Sequence, residues 1–278
     1  MVRVFEVLII LCIIAFLFIW VCESYFKESF ETLEQDSFYK SANKYEEIYD
    51  NFFGFLYDDL FYQEEYYVSL CEVFLQYMNT VYNKKLCIGI KHGGHVNELL
   101  KKNMDTLSIS RSNAIVNICQ YHYPKHKYKY IPNIETNPYI FNENEFTHIS
   151  LIDNELYYLS NLSGFMYNCS RWLIFKGYLF IQCYYNISQL KKSFVKIGEN
   201  SSTRMKTVYS HEFKDFQESD SFYFIEKLKY REKERNNKHT LFFYKKDYID
   251  ITAQEYGMYL TDTLPLSQNE CVLVFQKR

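Results

Sequence analysis

The chain has 278 residues, of which 28 are Tyr and 24 are Phe but only 8 are Gly and 4 are Pro. This length accommodates one ordinary domain with an appendage, and the aromatic-rich composition excludes a disordered chain. The formal net charge is only −3, and residues 23–76 carry 13 acidic side chains against three lysines. Because the remaining charge is mild and mixed, we expect no nucleic-acid partner.

The N-terminus contains an unbroken apolar run of 16 residues, Val7–Cys22. With Val4 and Phe5 the run approaches 19 residues, enough to cross a bilayer core of ~30 Å. We therefore predict a transmembrane anchor over residues 1–23, with a cleaved signal peptide and a buried helix as the alternatives. Arg3 precedes the run and an acidic stretch follows it, so the positive-inside rule places the N-terminus in the cytosol. The body of this single-pass protein would then lie across the membrane.

The eight cysteines include no pair with C-x-x-C spacing, so the sequence predicts neither a zinc site nor a redox motif. Most of them fall in apolar stretches and are expected to be buried thiols. Four N-x-S sequons would matter only if the domain were lumenal; they begin at Asn161, Asn168, Asn186 and Asn200.

Residues 24–80 predict an acidic helical stalk followed by N-terminal helices, because the segment lacks proline and repeats apolar groups at helical spacing. One stripe of this segment is typical of a packing surface rather than a ligand platform. It consists of Tyr67, Leu70, Cys71, Phe74 and Leu75.

From residue 81 to residue 278, strand and helix patterns alternate. The predicted strands are Leu86–Ile90, Thr106–Ser110, Lys127–Ile131, Phe146–Ile152, Tyr178–Tyr184, Met258–Leu264 and Cys271–Gln276. The predicted helices are His95–Lys101, a helix capped by Ser112, Gly164–Ile174 and Asp247–Tyr256. This alternation predicts an α/β domain of three layers, with a mostly parallel sheet and a C-terminal antiparallel hairpin.

Residues 186–246 fit this alternation poorly. We interpret them as an insertion packed on the edge of the sheet. It contains two strands, Phe222–Tyr230 and Thr240–Tyr244, on either side of a charged turn, Arg231–His239.

The first strand of the domain runs directly into a glycine-rich turn. Gly89, Gly93 and Gly94 lie within six residues, and a helical pattern follows at once. A strand–turn–helix of this kind is typical of a nucleotide-type site, because glycine lets the backbone approach a ligand closely.

Several segments together resemble one family of enzymes. They are Ile88–Val96, Ile109–Ser112, Phe146–Ile149, Tyr157–Tyr158, Asn168–Leu173, Gly177–Leu179, Ala253–Gly257 and Val272–Phe275. In order and spacing they resemble class I S-adenosylmethionine-dependent methyltransferases, and above all a methyltransferase-like family encoded by giant viruses of the mimivirus type. The resemblance runs from about Tyr45 to the C-terminus. It implies a Rossmann-like fold with a seven-stranded sheet.

The resemblance also implies a cofactor site, which this sequence retains only in part. In the family, an acid at the end of strand one, the turn glycines and an acid ending strand two hold S-adenosylmethionine. Here the two acids are replaced by Cys87 and Ser110, and one turn glycine is replaced by Lys91. Losing a charged hydrogen bond costs about 1.5–3 kcal/mol, so two losses weaken binding by roughly 10²–10⁴-fold. We therefore regard the cofactor site as vestigial; it comprises Gly89, Gly93, Gly94, Ser110 and Asp153.

Asp153 follows strand four, where related enzymes place a substrate-contacting or catalytic group. Asp153 and Asn154 are therefore the candidates for residual chemistry, and the alternative is an ordinary strand-ending turn. We interpret His95 and His148 as structural histidines rather than ligands. No catalytic residue and no metal site is predicted.

The first functional hypothesis is a membrane-anchored, catalytically inactive methyltransferase-like protein that acts as a scaffold or binding module. It would need no cofactor and would bind protein partners through the acidic segment Ser24–Glu65 and the charged hairpin. Resemblance to giant-virus proteins implies a virion or a viral internal membrane as its location. The second hypothesis is an active S-adenosylmethionine-dependent methyltransferase with an atypical pocket. The third is a secreted or lumenal protein that shares only the fold.

Overall fold

The computed structural model describes residue 17 and residues 41–51, 64–78, 83–91, 93–102, 105–195, 208–215, 221–230 and 233–278. Within these ranges, no helix combines the length and the apolar character needed to cross a bilayer. The predicted anchor Val7–Cys22 lies outside the described residues, apart from Leu17.

Eleven strands and seven α-helices follow one another in the described part of the chain. The strands are β1 (Ser41–Ala42), β2 (Lys84–Ile88), β3 (Asp105–Ser110), β4 (Lys127–Tyr130), β5 (Phe146–Leu151), β6 (Leu173–Tyr184), β7 (Val208–Asp215), β8 (Ser221–Tyr230), β9 (Lys233–Phe242), β10 (Met258–Pro265) and β11 (Glu270–Lys277). The α-helices are α1 (Tyr45–Ile48), α2 (Glu64–Leu75), α3 (Gly94–Lys101), α4 (Asn113–His122), α5 (Leu162–Trp172), α6 (Ile187–Val195) and α7 (Lys246–Glu255). Two 3-10 helices, Pro138–Ile140 and Glu155–Tyr158, flank β5.

The main sheet has seven strands in the order β10-β11-β6-β5-β2-β3-β4. The five neighbouring strands β6, β5, β2, β3 and β4 are parallel to one another, whereas β11 runs antiparallel to both β6 and β10. The mostly parallel sheet and the C-terminal antiparallel hairpin are therefore confirmed. Since β2 is the middle one of the five parallel strands, the turn that follows it opens at the centre of their carboxyl edge.

Side chains of the central strands alternate between two hydrophobic cores, one on each face of the sheet. On β2, Leu86 and Ile88 belong to the larger core, whereas Cys87 packs with Leu70 and Phe74 of α2 in the smaller one. Of the predicted packing stripe of α2, Leu70, Cys71 and Phe74 are buried in the smaller core and Leu75 packs against it. Helices α5 and α7 contribute to the larger core on the other face. This arrangement has the three layers that the alternating pattern predicts.

Some predicted boundaries and element types are wrong. Ser41–Ala42 form a short strand inside the segment predicted as helix. Leu173 and Ile174 already belong to β6 instead of the preceding helix, because α5 ends at Trp172.

A second sheet has four strands in the order β1-β9-β8-β7. The predicted charged turn Arg231–His239 is wrong for most of its length, because Lys233–His239 belong to β9 and pair with β8. The strand β7 was not predicted. Phe222, Phe224 and Leu241 of this sheet are buried in the larger core, so the second sheet packs on the body of the domain rather than standing free.

Arg235 of β9 explains why a charged stretch forms a buried strand. Its side chain is only 1% exposed. Its Nη1 donates to both carboxylate oxygens of Asp50, at 3.0 and 2.9 Å, and its Nη2 donates to the carbonyl oxygens of Glu47 and Ile48. Arg235 therefore satisfies the carboxyl end of α1 and fixes the segment 45–50 against the second sheet.

We expect Arg235→Gln to lower the free energy of unfolding by about 2–4 kcal/mol, because it leaves buried carbonyl groups and Asp50 without their donor. Lys238→Gln, on the same strand, is the matched control. The Lys238 Nζ lies 3.6 Å from the ring centroid of Tyr223, a surface contact worth about 1 kcal/mol or less. Urea denaturation measures both, and an equal loss in the two variants would show that Arg235 does not fix this segment.

Candidate functional site

The glycine turn after β2 packs against the protein itself. Gly89 has φ +98°, and a Cβ at this position would lie 2.5 Å from Cγ of Glu155 and closer still to the carbonyl oxygen of Ile152. Gly93 has φ +83° and lies against the ring of Tyr123. Gly94 begins α3. The two positive φ angles and the close contacts explain why glycine occupies these positions without invoking a ligand.

Lys91 occupies the middle of the candidate site. Its side chain is 3% exposed, and its Nζ lies 5.0 Å from the ring centroid of Tyr49 and 5.3 Å from that of Tyr158. Burial lowers the pKa of Lys91, while the carboxylates of Glu155 and Asp153 oppose this shift. Lys91 has no positive φ angle, so the replacement of the family's turn glycine by lysine does not strain the backbone here.

Glu155 fills the space next to Gly89. Its carboxylate accepts a hydrogen bond from the Tyr45 hydroxyl. Burial raises the pKa of Glu155, and the charges of Lys91 and Arg111 oppose that shift. Arg111 lies over the ring of Tyr45, with 5.3 Å between its Cζ and the ring centroid. The Glu155 carboxylate is thus enclosed by a tyrosine and two cationic side chains.

Cys87 and Ser110 have local structural roles. The Ser150 hydroxyl donates to Cys87 Sγ at 3.4 Å, and burial raises the pKa of the Cys87 thiol, so the group is neutral. The Ser110 hydroxyl accepts from the backbone N–H of Ser112 at 3.2 Å. Neither side chain supplies the negative charge that the family uses at these positions.

Little space remains between the described residues at the ends of β2 and β3. A narrow cleft between the ends of β2 and β3 is too tight to admit a water molecule. Its lining is Ile88, Gly89, Ile109, Ser110, Arg111, Ile131, Ile134 and Glu155. Sites for ligands of drug or cofactor size have volumes of roughly 300–1,000 Å³.

Asp153 lies beyond the end of β5 in an unusual backbone conformation. Asp153 and Asn154 have φ angles of +55° and +65°, in the left-handed region. The backbone N–H of Asp153 donates to Gln182 Oε1 at 2.5 Å, and the Tyr67 hydroxyl donates to its carboxylate at 3.4 Å. Burial raises the pKa of Asp153 to about 7, against the opposing effect of Lys91. A carboxyl group with this pKa has the property of a general acid or base, although only 6% of Asp153 is exposed.

A buried polar network extends the site into the second sheet. The Tyr158 hydroxyl lies 2.9 Å from the Tyr49 hydroxyl and 2.6 Å from Nδ1 of His239. Nε2 of His239 lies 2.8 Å from a carboxylate oxygen of Glu226, and both side chains are buried. No periodic pattern in the sequence indicates this network, because its members come from distant segments that meet only in the fold.

The structure brings Gly89, Lys91, Asp153 and Glu155 together at the carboxyl edge, whereas Cys87 packs into the smaller core. His148 is a structural histidine, as predicted: its two ring nitrogens contact the Thr147 hydroxyl and the Tyr77 carbonyl oxygen at 2.7 and 3.0 Å. His95 lies on α3, and its side chain is outside the described part of the chain. No group of three or more His, Cys, Asp or Glu side chains able to hold a metal occurs within the described ranges.

Solved structures establish the fold. A S-adenosylmethionine-dependent methyltransferase from Clostridium acetobutylicum aligns with a TM-score of 0.62 at 14% identity, over 82% of this chain and 98% of that one. The CcbJ methyltransferase from Streptomyces caelestis gives 0.61 at 12% identity, over 82% and 97%. CalS10, an amino pentose methyltransferase from Micromonospora echinaspora solved with S-adenosylmethionine bound, gives 0.58 at 9% identity, over 82% and 97%.

Neither a protein-family model nor a curated protein matches the sequence. The structural matches show that the chain has the Rossmann-like fold of S-adenosylmethionine-dependent methyltransferases. Among the described residues at the corresponding edge of the sheet, Lys91 and Glu155 are buried, and the cleft between the ends of β2 and β3 is narrow.

The raised pKa of Asp153 predicts a pH dependence of stability. The folded state retains the proton that the unfolded chain releases near pH ~4, so this contribution is complete below pH ~4 and is lost as the pH rises through about 7. We expect the free energy of unfolding to fall across this window by up to about 4 kcal/mol. Denaturant titrations at several pH values measure the slope.

Asp153→Asn should flatten that slope, because the amide does not titrate. Asp247→Asn, on the exposed first turn of α7, is the control and should keep the wild-type slope. Identical slopes in Asp153→Asn and wild type would contradict the assignment.

Proposed function

We propose that this protein is a catalytically inactive methyltransferase-like scaffold or binding module. The observation that carries the proposal is the filled cleft: Glu155 packs against Gly89, and Lys91 is buried under Tyr49 and Tyr158. These are side chains of the protein itself, and they occupy the edge of the sheet at which the fold binds nucleotide-like ligands.

The energetics support the same conclusion. Admitting a cofactor would require the buried side chains of Lys91 and Glu155 to leave their packing against Tyr45, Tyr49 and Tyr158. Breaking the hydrogen bond between the Tyr45 hydroxyl and the buried Glu155 carboxylate alone costs about 1–3 kcal/mol. The site offers no compensating carboxylate at Cys87 or Ser110, so binding energy would have to offset this cost from weaker contacts.

Membrane attachment and partner binding are further parts of the proposal. The apolar run Val7–Cys22 would anchor the chain with a cytosolic N-terminus, and the acidic segment Ser24–Glu65 would bind protein partners. By its resemblance to giant-virus proteins, we propose a virion or a viral internal membrane as the location.

We expect no binding of S-adenosylmethionine or S-adenosylhomocysteine to the wild-type protein. At about 1 mM ligand, a site with a Kd of about 10 µM would add about 2.7 kcal/mol of stability and raise the thermal midpoint by several degrees. Differential scanning fluorimetry and calorimetry should show no such shift. A shift of that size would support the alternative of an active enzyme with an atypical pocket.

Restoring the missing family residues provides a sharper comparison. The triple variant Cys87→Asp, Lys91→Gly and Ser110→Asp should still bind poorly, because Glu155 continues to fill the space beside Gly89. Adding Glu155→Ala to the triple variant should produce measurable binding. If the triple variant alone binds as well as the quadruple variant, Glu155 is not the obstruction.

The topology leads to a separate expectation. In membranes containing the inserted full chain, protease added on the cytosolic side should leave the body of the protein protected, since we place it across the membrane. Detergent should then make it digestible. Digestion of the body without detergent would overturn the proposed orientation.

A further inference from the structure

Two cysteines face each other across adjacent strands of the main sheet. Cys183 of β6 and Cys271 of β11 are direct partners in the antiparallel register. Their Sγ atoms are 3.5 Å apart, and both side chains are buried. The sequence offered no hint of this pair, because the two residues are 88 positions apart.

The backbone already satisfies the requirement for a cross-link. Directly opposed residues of antiparallel strands have Cα atoms about 4.5 or 5.5 Å apart, and disulfides span Cα distances of about 4.4–6.8 Å. Closing the remaining gap between the sulfur atoms requires rotation of the two side chains and no rearrangement of β6 or β11. We propose that Cys183 and Cys271 are an oxidisable dithiol that closes to a cross-strand disulfide and joins β6 covalently to β11.

A cross-link at this position would join two strands that support Asp153. β11 is inserted antiparallel between β6 and β10, and the chain between β6 and β11 contains β7, β8 and β9 of the second sheet. Next to the cysteines, the Gln182 amide donates to the Glu270 carboxylate, while Gln182 Oε1 accepts from the backbone of Asp153. A disulfide here would lock the strand pair that supports Asp153.

The chemistry balances with a small-molecule disulfide such as oxidised glutathione as the oxidant. Cys271, as its thiolate, attacks one sulfur of the oxidant before the two strands have paired and buried it. It displaces one glutathione thiolate, which takes up a proton, and forms a mixed disulfide. Cys183 then loses its proton to solvent and attacks the Cys271 sulfur, which releases the second glutathione. Two protein thiols are oxidised and one glutathione disulfide is reduced to two thiols.

Because both sulfur atoms are buried in the folded sheet, we expect the bond to form while β6 and β11 pair during folding. A compartment across the membrane, where we place the body of the protein, is the environment in which such bonds persist. The inference itself rests on the geometry of the pair and does not depend on the proposed function.

The test is to refold the full chain from denaturant in a glutathione redox buffer and, in parallel, in dithiothreitol. Acid quenching, blocking of free thiols with N-ethylmaleimide and peptide mapping then identify the linked residues. We expect a peptide pair joining Cys183 to Cys271 in the oxidised sample only. We also expect the oxidised protein to have a thermal midpoint higher by roughly 5–15 °C, because the bond constrains a long loop in the unfolded chain.

Cys183→Ser and Cys271→Ser should each abolish this difference between the oxidised and reduced samples. Cys169→Ser is the matched control, since Cys169 is an equally buried thiol on α5, and it should keep the difference. If the serine variants fail to fold, the linked peptide in the wild-type protein decides the question. Recovery of Cys183 and Cys271 as N-ethylmaleimide adducts after oxidative refolding, or linkage of either one to another cysteine, would overturn the proposal.

Discussion

The burial of Lys91 and Glu155 at the carboxyl edge of the sheet is the constraint on which the rest of the site depends. Both groups are removed from water. Burial lowers the pKa of Lys91 and raises the pKa of Glu155, and in each case the opposite charge limits the shift. Tyr45 donates to Glu155, and the rings of Tyr49 and Tyr158 enclose Lys91. Buried ionisable groups are tolerated only when their neighbours satisfy them, so the surrounding residues are constrained as well.

The second sheet supplies much of that compensation. Tyr158 connects the site to His239 of β9, which in turn contacts Glu226 of β8. Arg235 of the same strand holds Asp50 and the end of α1, which carries Tyr45 and precedes Tyr49. The segment 45–50 and the second sheet thus cover the centre of the main sheet together. The insertion, residues 186–246, is therefore an integral part of the filled site and not a peripheral addition to the edge of the sheet.

Much of the main sheet could be predicted from the sequence, because its strands are short apolar runs separated by helical periodicity. Phe146–Ile152 is apolar enough to identify a strand buried on both faces, and its observed bounds are Phe146–Leu151. The hairpin of β10 and β11 was recognisable for the same reason. These elements owe their structure to local patterns, and local patterns are visible in a single sequence.

The filled site could be predicted only in part. The departures at Cys87, Lys91 and Ser110 were visible because a known pattern specifies those positions. The obstruction by Glu155 was not visible, since an acid in a turn after a strand reads as solvated. The first part of β9, Lys233–His239, was predicted as a turn for a similar reason: Arg235 contacts Asp50 across 185 positions of sequence, and no local pattern records that pairing.

The most direct measurement of the central claim is a crystal structure of the wild-type protein grown with a large excess of S-adenosylhomocysteine. We expect electron density for the Lys91 and Glu155 side chains packed under Tyr158 beside Gly89. We expect no density for a nucleoside at the carboxyl ends of β2 and β3. Density for a bound nucleoside in that place, with Lys91 and Glu155 turned away, would contradict that claim.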